Sequence, residues 1–114
     1  MTRIQQKVTP VRGCHLLRQA DEQMLGFTQL YPALCSVDLV NYFVLYDLFV
    51  VANSRQQGVG RSLMTAASDW ATRQGAARLD LETARDNAPG QALYRSLGYQ
   101  ADEVFLKFSL ELSA

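Results

Sequence analysis

The apolar positions of this chain change period about half-way along its length. Residues 14–19 (CHLLRQ) and 24–31 (MLGFTQLY) read as two strands around a turn at Ala20 to Gln23, a hairpin. Pro32 reads as a bulge or bend, after which the chain stays extended through Cys35 and Val37, with the next turn at Asp38 to Asn41. Tyr42 to Val51 (YFVLYDLFVV) is almost continuously apolar, which predicts a strand buried on both faces. From Gly58 to Arg73, Val59, Leu63, Met64, Ala66, Ala67, Trp70 and Ala71 recur at spacings of three and four, one face of a helix. Gly75 is the natural stop for that helix. Ala77 to Thr83 (ARLDLET) predicts a strand. Asn87 to Leu97 predicts a shorter helix closed by Gly98, with Pro89 in its first turn, where proline is tolerated. Val104, Leu106, Phe108, Leu110 and Leu112 fall on alternate positions, which predicts a half-buried final strand. Residues 1–13 stay open. Ile4, Val8 and Val11 fit a short strand, and Pro10 confines it to an edge.

The order strands, helix, strand, helix, strand predicts an α/β chain: an antiparallel start, then a βαβαβ-like half, giving a mixed sheet with helices packed on it. At 114 residues, with no repeat, linker or low-complexity stretch, one domain is expected. Lysine plus arginine balance aspartate plus glutamate at 11 each, so the basic surplus of a nucleic-acid binder is missing. No apolar run approaches the ~20 residues of a membrane span, and MTRIQQKVTP holds no signal-peptide core. Cys14 and Cys35 read as reduced thiols of a cytoplasmic protein rather than a disulfide frame or a zinc site.

Chemistry concentrates in "RQQGVGRS", residues 55–62, between the apolar strand and the long helix. Amides at a helix start lack internal partners, and the helix dipole favours an anion there, so a strand-turn-helix is a ready phosphate site. A plain loop entering a helix fits the glycines alone equally well. Two phosphate motifs fail. Leu63 stands where the dinucleotide pattern needs its third glycine, and the Walker pattern finds Arg55 for its first glycine and Arg61 for its lysine.

A third pattern fits. Arg-x-x-Gly-x-Gly after a strand resembles the pyrophosphate loop of the GNAT superfamily of N-acetyltransferases. "YDLFVVANSRQQGVGRSL", residues 46–63, is similar to that family's central strand and loop, and "GFTQLYP", residues 26–32, to the strand before it. "DNAPGQALYRSLGY", residues 86–99, resembles its second motif. The likeness runs from about Gly26 to Leu112 and implies the GNAT-like acyl-CoA N-acyltransferase fold.

The resemblance implies specific roles. Backbone amides from Gln56, Gln57, Gly58, Val59, Gly60, Arg61 and Ser62 would cradle the pyrophosphate of acetyl-coenzyme A, and the glycines would let it come close. Backbone groups of Phe49, Val50 and Val51 would pair with the pantetheine arm in a splay of the sheet. Asn87 would bond that arm, and Tyr94 would protonate the departing thiolate. Tyrosine is a competent donor for such a step, and neither a metal nor a covalent cysteine is needed. Duller readings stand beside these. Tyr94 could be packing, Asn87 a helix cap, and Arg55 and Arg61 solvated charges rather than phosphate contacts. Asp47 is a candidate base or cation site. Relatives that acetylate polyamines carry their acid one place earlier, where this chain has Tyr46, and neighbours on a strand face opposite sides. His15 reads as a bystander, and Met64 and Trp70 as core.

The family begins with a strand and two helices before its first hairpin, whereas here the hairpin starts at about Cys14. The resemblance therefore implies a chain lacking those elements, which form one wall of the acceptor site. It also implies an uncovered outer strand and sheet face, and hence a homodimer. Two functions follow: an N-acetyltransferase acting on a primary amine of a small molecule or peptide, or a catalytically impaired relative that only binds acyl-coenzyme A.

Overall fold

The computed structural model describes residues 2–8, 13–20, 23–35, 40–55 and 58–112. The chain divides into two compact units, residues 1–82 and 83–114.

The first unit is a mixed five-stranded sheet in the order β1-β2-β3-β4-β5. Its strands are β1 (Thr2–Val8), β2 (Cys14–Ala20), β3 (Gln23–Cys35), β4 (Val40–Val50) and β5 (Leu79–Leu81). The first four are antiparallel neighbours, and β5 joins β4 in parallel after the crossover helix α1 (Val59–Arg73). The segment the sequence left open thus forms β1, paired with β2 along its whole length from Thr2↔Ala20 to Val8↔Cys14. The outer strand of the hairpin is therefore not uncovered; the free antiparallel edge is β1.

Helix α1 packs on β2, β3 and β4. Its predicted stripe is the buried one: Val59, Leu63, Met64, Ala67, Trp70 and Ala71. They meet Cys14, Leu16, Thr28, Leu30, Phe43 and Leu45, which the strand alternation puts on one sheet face. Phe43 and Trp70 stack edge to face, with ring centroids 4.7 Å apart. Each large aliphatic side chain buried here contributes roughly 1.5–3 kcal/mol. Gly75, at φ 77°, takes the left-handed turn that ends the helix.

Two strand expectations are corrected. β3 runs straight through Pro32, which pairs with Phe43 in regular register. The irregularities lie elsewhere, between Arg18 and Gln19 and between Phe27 and Gln29. Nor is β4 buried on both faces. Phe43 and Leu45 are core, but Tyr46 is 50% and Phe49 41% exposed. The apolar run registers strand propensity, whereas burial depends on whether α1 lies over each position. Of the turn expected at Asp38 to Asn41, Asn41 already belongs to β4, and Val37 and Asp38 lie outside the described residues.

The second unit holds α2 (Ala88–Ser96), with Pro89 in its first turn and Gly98 at φ 97° just past its end. The predicted final strand does not form. Val104, Leu106, Phe108, Leu110 and Leu112 are each more than 80% exposed. Asp102 Oδ1 instead accepts from the amides of Val104 and Phe105, at 2.9 and 3.1 Å. Alternation supplies a strand's faces but not its hydrogen-bonding neighbour, and no described residue pairs with this segment.

Candidate functional site

The first unit leaves one edge of β4 open over the second half of the strand. β4 and β5 pair only at Phe43↔Leu79, Val44↔Asp80 and Leu45↔Leu81. Beyond Leu45, β4 continues to Val50 bonded to β3 alone. The strands separate where β4 bulges: Gln29 faces Tyr46 and Phe27 faces Phe49, so two residues of β4 oppose one of β3. Asp47 sits in this bulge at φ 55°, the left-handed region that aspartate tolerates better than most residues. The bulge also breaks the alternation, so Tyr46 and Asp47 are both exposed.

The chain leaves β4 through a single 3-10 turn, Ala52–Ser54. Val51 is committed locally: its amide donates to Leu25 O at 2.8 Å, and its carbonyl accepts from the amide of Ser54 at 2.9 Å. Strand alternation then turns the peptide groups of Val50 away from β3, and Arg55 Nε donates to Val50 O at 3.2 Å. Gln56 and Gln57 lie outside the described residues.

Gly58 caps α1 at φ 81°. A side chain there would favour the unfolded chain by about 1–2 kcal/mol, which is why a glycine fits. The first bond within the helix is Ser62 N to Gly58 O, 2.9 Å. The amides of Val59 and Gly60 therefore have no partner within the helix. α1 has no acidic residue in its first turn to offset the positive end of its dipole. Arg55 and Arg61 are both exposed beside it.

Gly26 brings this helix start onto the sheet. A Cβ built there would lie 2.5 Å from the Phe49 carbonyl oxygen and 3.1 and 3.2 Å from Val59 and Leu63 of α1. The same helix end meets Arg18 of β2, whose Nη1 donates to Ser62 Oγ. Sequence reasoning missed both residues. A signal was present, since Arg18 shares its strand phase with buried Cys14 and Leu16, where a charge is out of place. The opposite sheet face carries a polar-aromatic row: Tyr31 OH donates to Gln29 Oε1 at 3.2 Å, lies 3.4 Å from His15 Nε2, and the Tyr31 ring meets Tyr46 edge to face at 5.5 Å.

In the second unit, Asn87 is the cap of α2. Its Oδ1 accepts from Gly90 N at 3.2 Å, and its Nδ2 donates to Thr83 Oγ1 at 2.9 Å. Tyr94, two turns into α2, packs its ring against Tyr99, centroids 6.1 Å apart. Burial raises its pKa, so the phenol stays protonated beyond the ordinary tyrosine range. Among the described residues no three His, Cys, Asp or Glu side chains cluster as metal ligands. No helix of the described residues is long and apolar enough to cross a membrane.

The chain is 38% identical over 99 residues to the uncharacterised N-acetyltransferase YhfO of Bacillus subtilis, covering 87% of this chain and 66% of that protein. A 29% identical probable acetyltransferase of Haemophilus influenzae is covered to 62% of its length, so the chain spans just under two thirds of these relatives. The crystal structure of a probable acetyltransferase, 34% identical, superposes with a TM-score of 0.81 over 90% of this chain and 69% of that one. AAC(6')-Iy, solved with a bisubstrate analogue of coenzyme A, is only 18% identical yet shares the fold, with a TM-score of 0.80 over 98% of this chain and 99% of that one. Residues 3–99, from β1 through α2 to Tyr99, match the acetyltransferase (GNAT) family, and the chain belongs to that family.

Proposed function

We propose that the chain transfers the acetyl group of acetyl-coenzyme A to a primary amine of a small molecule or peptide by direct attack. The observation that carries this reading is the start of α1, where the amides of Val59 and Gly60 without helical partners, a positive dipole end and no acidic residue make a seat for a diphosphate. The pantetheine arm would run along the open edge of β4 at Val50 rather than at Val51, whose amide and carbonyl are already bonded, taking the place of Arg55 on the Val50 carbonyl and freeing that guanidinium for phosphate. The donor Nδ2 of Asn87 that also serves Thr83 has a second hydrogen for the same arm.

The chemistry is then short. The amine nitrogen bonds to the thioester carbon, the carbon–sulfur bond breaks, and Tyr94 gives its proton to the departing thiolate. Asp47, exposed in the bulge, is the proposed acceptor of the proton the amine loses. Positioning of amine against thioester supplies much of the rate.

Two measurements test the reading. Calorimetry with acetyl-coenzyme A is expected to show binding, and replacing Gly60 with tryptophan to abolish it, since the indole would bar the phosphate from close approach to the backbone of the first turn. Retained affinity in that variant would remove the loop from the site. Thiol release with a panel of primary amines is expected to reveal turnover. Binding without release against any amine would leave only the coenzyme-holding alternative, and no binding would defeat both.

A homodimer belongs to the same proposal. Val104, Phe105, Leu106, Phe108, Leu110 and Leu112 are 76–89% exposed, an apolar stretch that a second copy would cover. Sedimentation velocity should show a dimer at micromolar concentration, and a monodisperse monomer would exclude it.

A further inference from the structure

We infer that Arg18 is a positioning residue for the diphosphate, acting from β2 through the hydroxyl of Ser62; the inference rests on the coenzyme reading above. Three observations meet at this point. First, Arg18 lies in the strand phase of buried Cys14 and Leu16, and its half-buried side chain reaches toward α1. Second, its register partner is Gly26, whose missing side chain leaves room for the first turn of α1 to settle against β3. Third, Nη1 of Arg18 reaches the side chain of Ser62, the residue that makes the first hydrogen bond within the helix.

The chemistry of the contact gives it a direction. A serine hydroxyl offers one donor hydrogen and two acceptor lone pairs. A guanidinium has donors only, so its bond to Ser62 Oγ occupies a lone pair and leaves the hydroxyl hydrogen to serve an acceptor. A charged donor also polarises that hydroxyl and makes it the better donor to an anion. The contact at the same time fixes a positive charge against a helix end that is already positive and carries no acidic residue. An incoming diphosphate would accept from that hydroxyl and face the positive helix end. Arg18 is thus the part of the anion site that comes from outside the glycine loop, and it ties the loop to the antiparallel half of the sheet.

The test is a double-mutant cycle on the affinity of the full chain for coenzyme A, read by calorimetry. Arg18→Met and Ser62→Ala are each expected to weaken binding by about tenfold, the loss typical of one charge-assisted hydrogen bond. The double variant should lose no more than either single one, because the two side chains act as a unit. Arg18→Lys, which keeps the charge and a donor, should recover part of the affinity. A merely structural arginine would give losses unrelated to Ser62. If Arg18→Met fails to fold, Ser62→Ala, which favours the helix, decides alone. Wild-type affinity in Ser62→Ala, or losses that add to about a hundredfold in the double variant, overturns this inference and leaves the coenzyme reading intact. Failure of the unaltered chain to bind coenzyme A overturns both.

Discussion

A Gly26→Ala variant is expected to melt roughly 10 °C lower and to bind coenzyme A at least about tenfold more weakly. The added methyl would sit 2.5 Å from a backbone oxygen, that of Phe49, and 3.1–3.2 Å from Val59 and Leu63. Flexible side chains can yield a few tenths of an ångström, but a carbonyl held in the pairing of β3 and β4 yields only if the strands part or α1 lifts. Overpacking of this kind costs about 1–3 kcal/mol. In a chain of 114 residues that is several degrees of Tm for each kcal/mol. The loss of affinity has the same origin, because the displaced atoms belong to the helix turn proposed to hold the diphosphate. Thermal unfolding followed by circular dichroism, paired with calorimetry, reads both. A variant melting within about 2 °C of the parent would mean that the helix start tolerates movement and that Gly26 does not set its height.

Replacing Tyr94 by phenylalanine is expected to lower kcat by about a hundredfold while leaving the affinity for acetyl-coenzyme A within about twofold, the pattern of a lost proton donor. The ring stays, and with it the packing against Tyr99. Burial raises the phenol's pKa, so its proton is retained through neutral and moderately alkaline pH. The sign follows directly. A group whose folded pKa lies above its unfolded one stabilises the fold below the unfolded value, and that contribution is lost as pH rises through the folded one. Activity should therefore hold to about pH 10, fall only above it, and lose this alkaline limb in the variant. An unchanged kcat at neutral pH would assign Tyr94 to packing.

The elements with a strong local signature were legible. The apolar stripe of α1 needs one packing face, and that face is the same whatever strand lies under it. The left-handed glycines at 58, 75 and 98 mark helix ends because other residues resist that backbone conformation. The caps and stops of α2 are likewise short-range. Residues 104–112 show the limit of such reasoning. Their alternation is a property of the chain, whereas a strand is a property of two chains side by side. β1 shows the converse: its sequence was ambiguous, and pairing with β2 over seven positions decided it.

The candidate site divides in the same way. Sequence alone determined the family and the glycine turn, and it named Asn87 and Tyr94 as candidates, since each is a matter of residue type at fixed spacing along one segment. Only the tertiary structure decided where β4 parts from β5, that a bulge turns both Tyr46 and Asp47 outward, and that Arg18 and Gly26 meet the first turn of α1. Those facts join residues as much as 44 positions apart, Arg18 and Ser62 among them. Separations of that length are closed by sheet register and helix packing, and neither is written in the local pattern of any one segment.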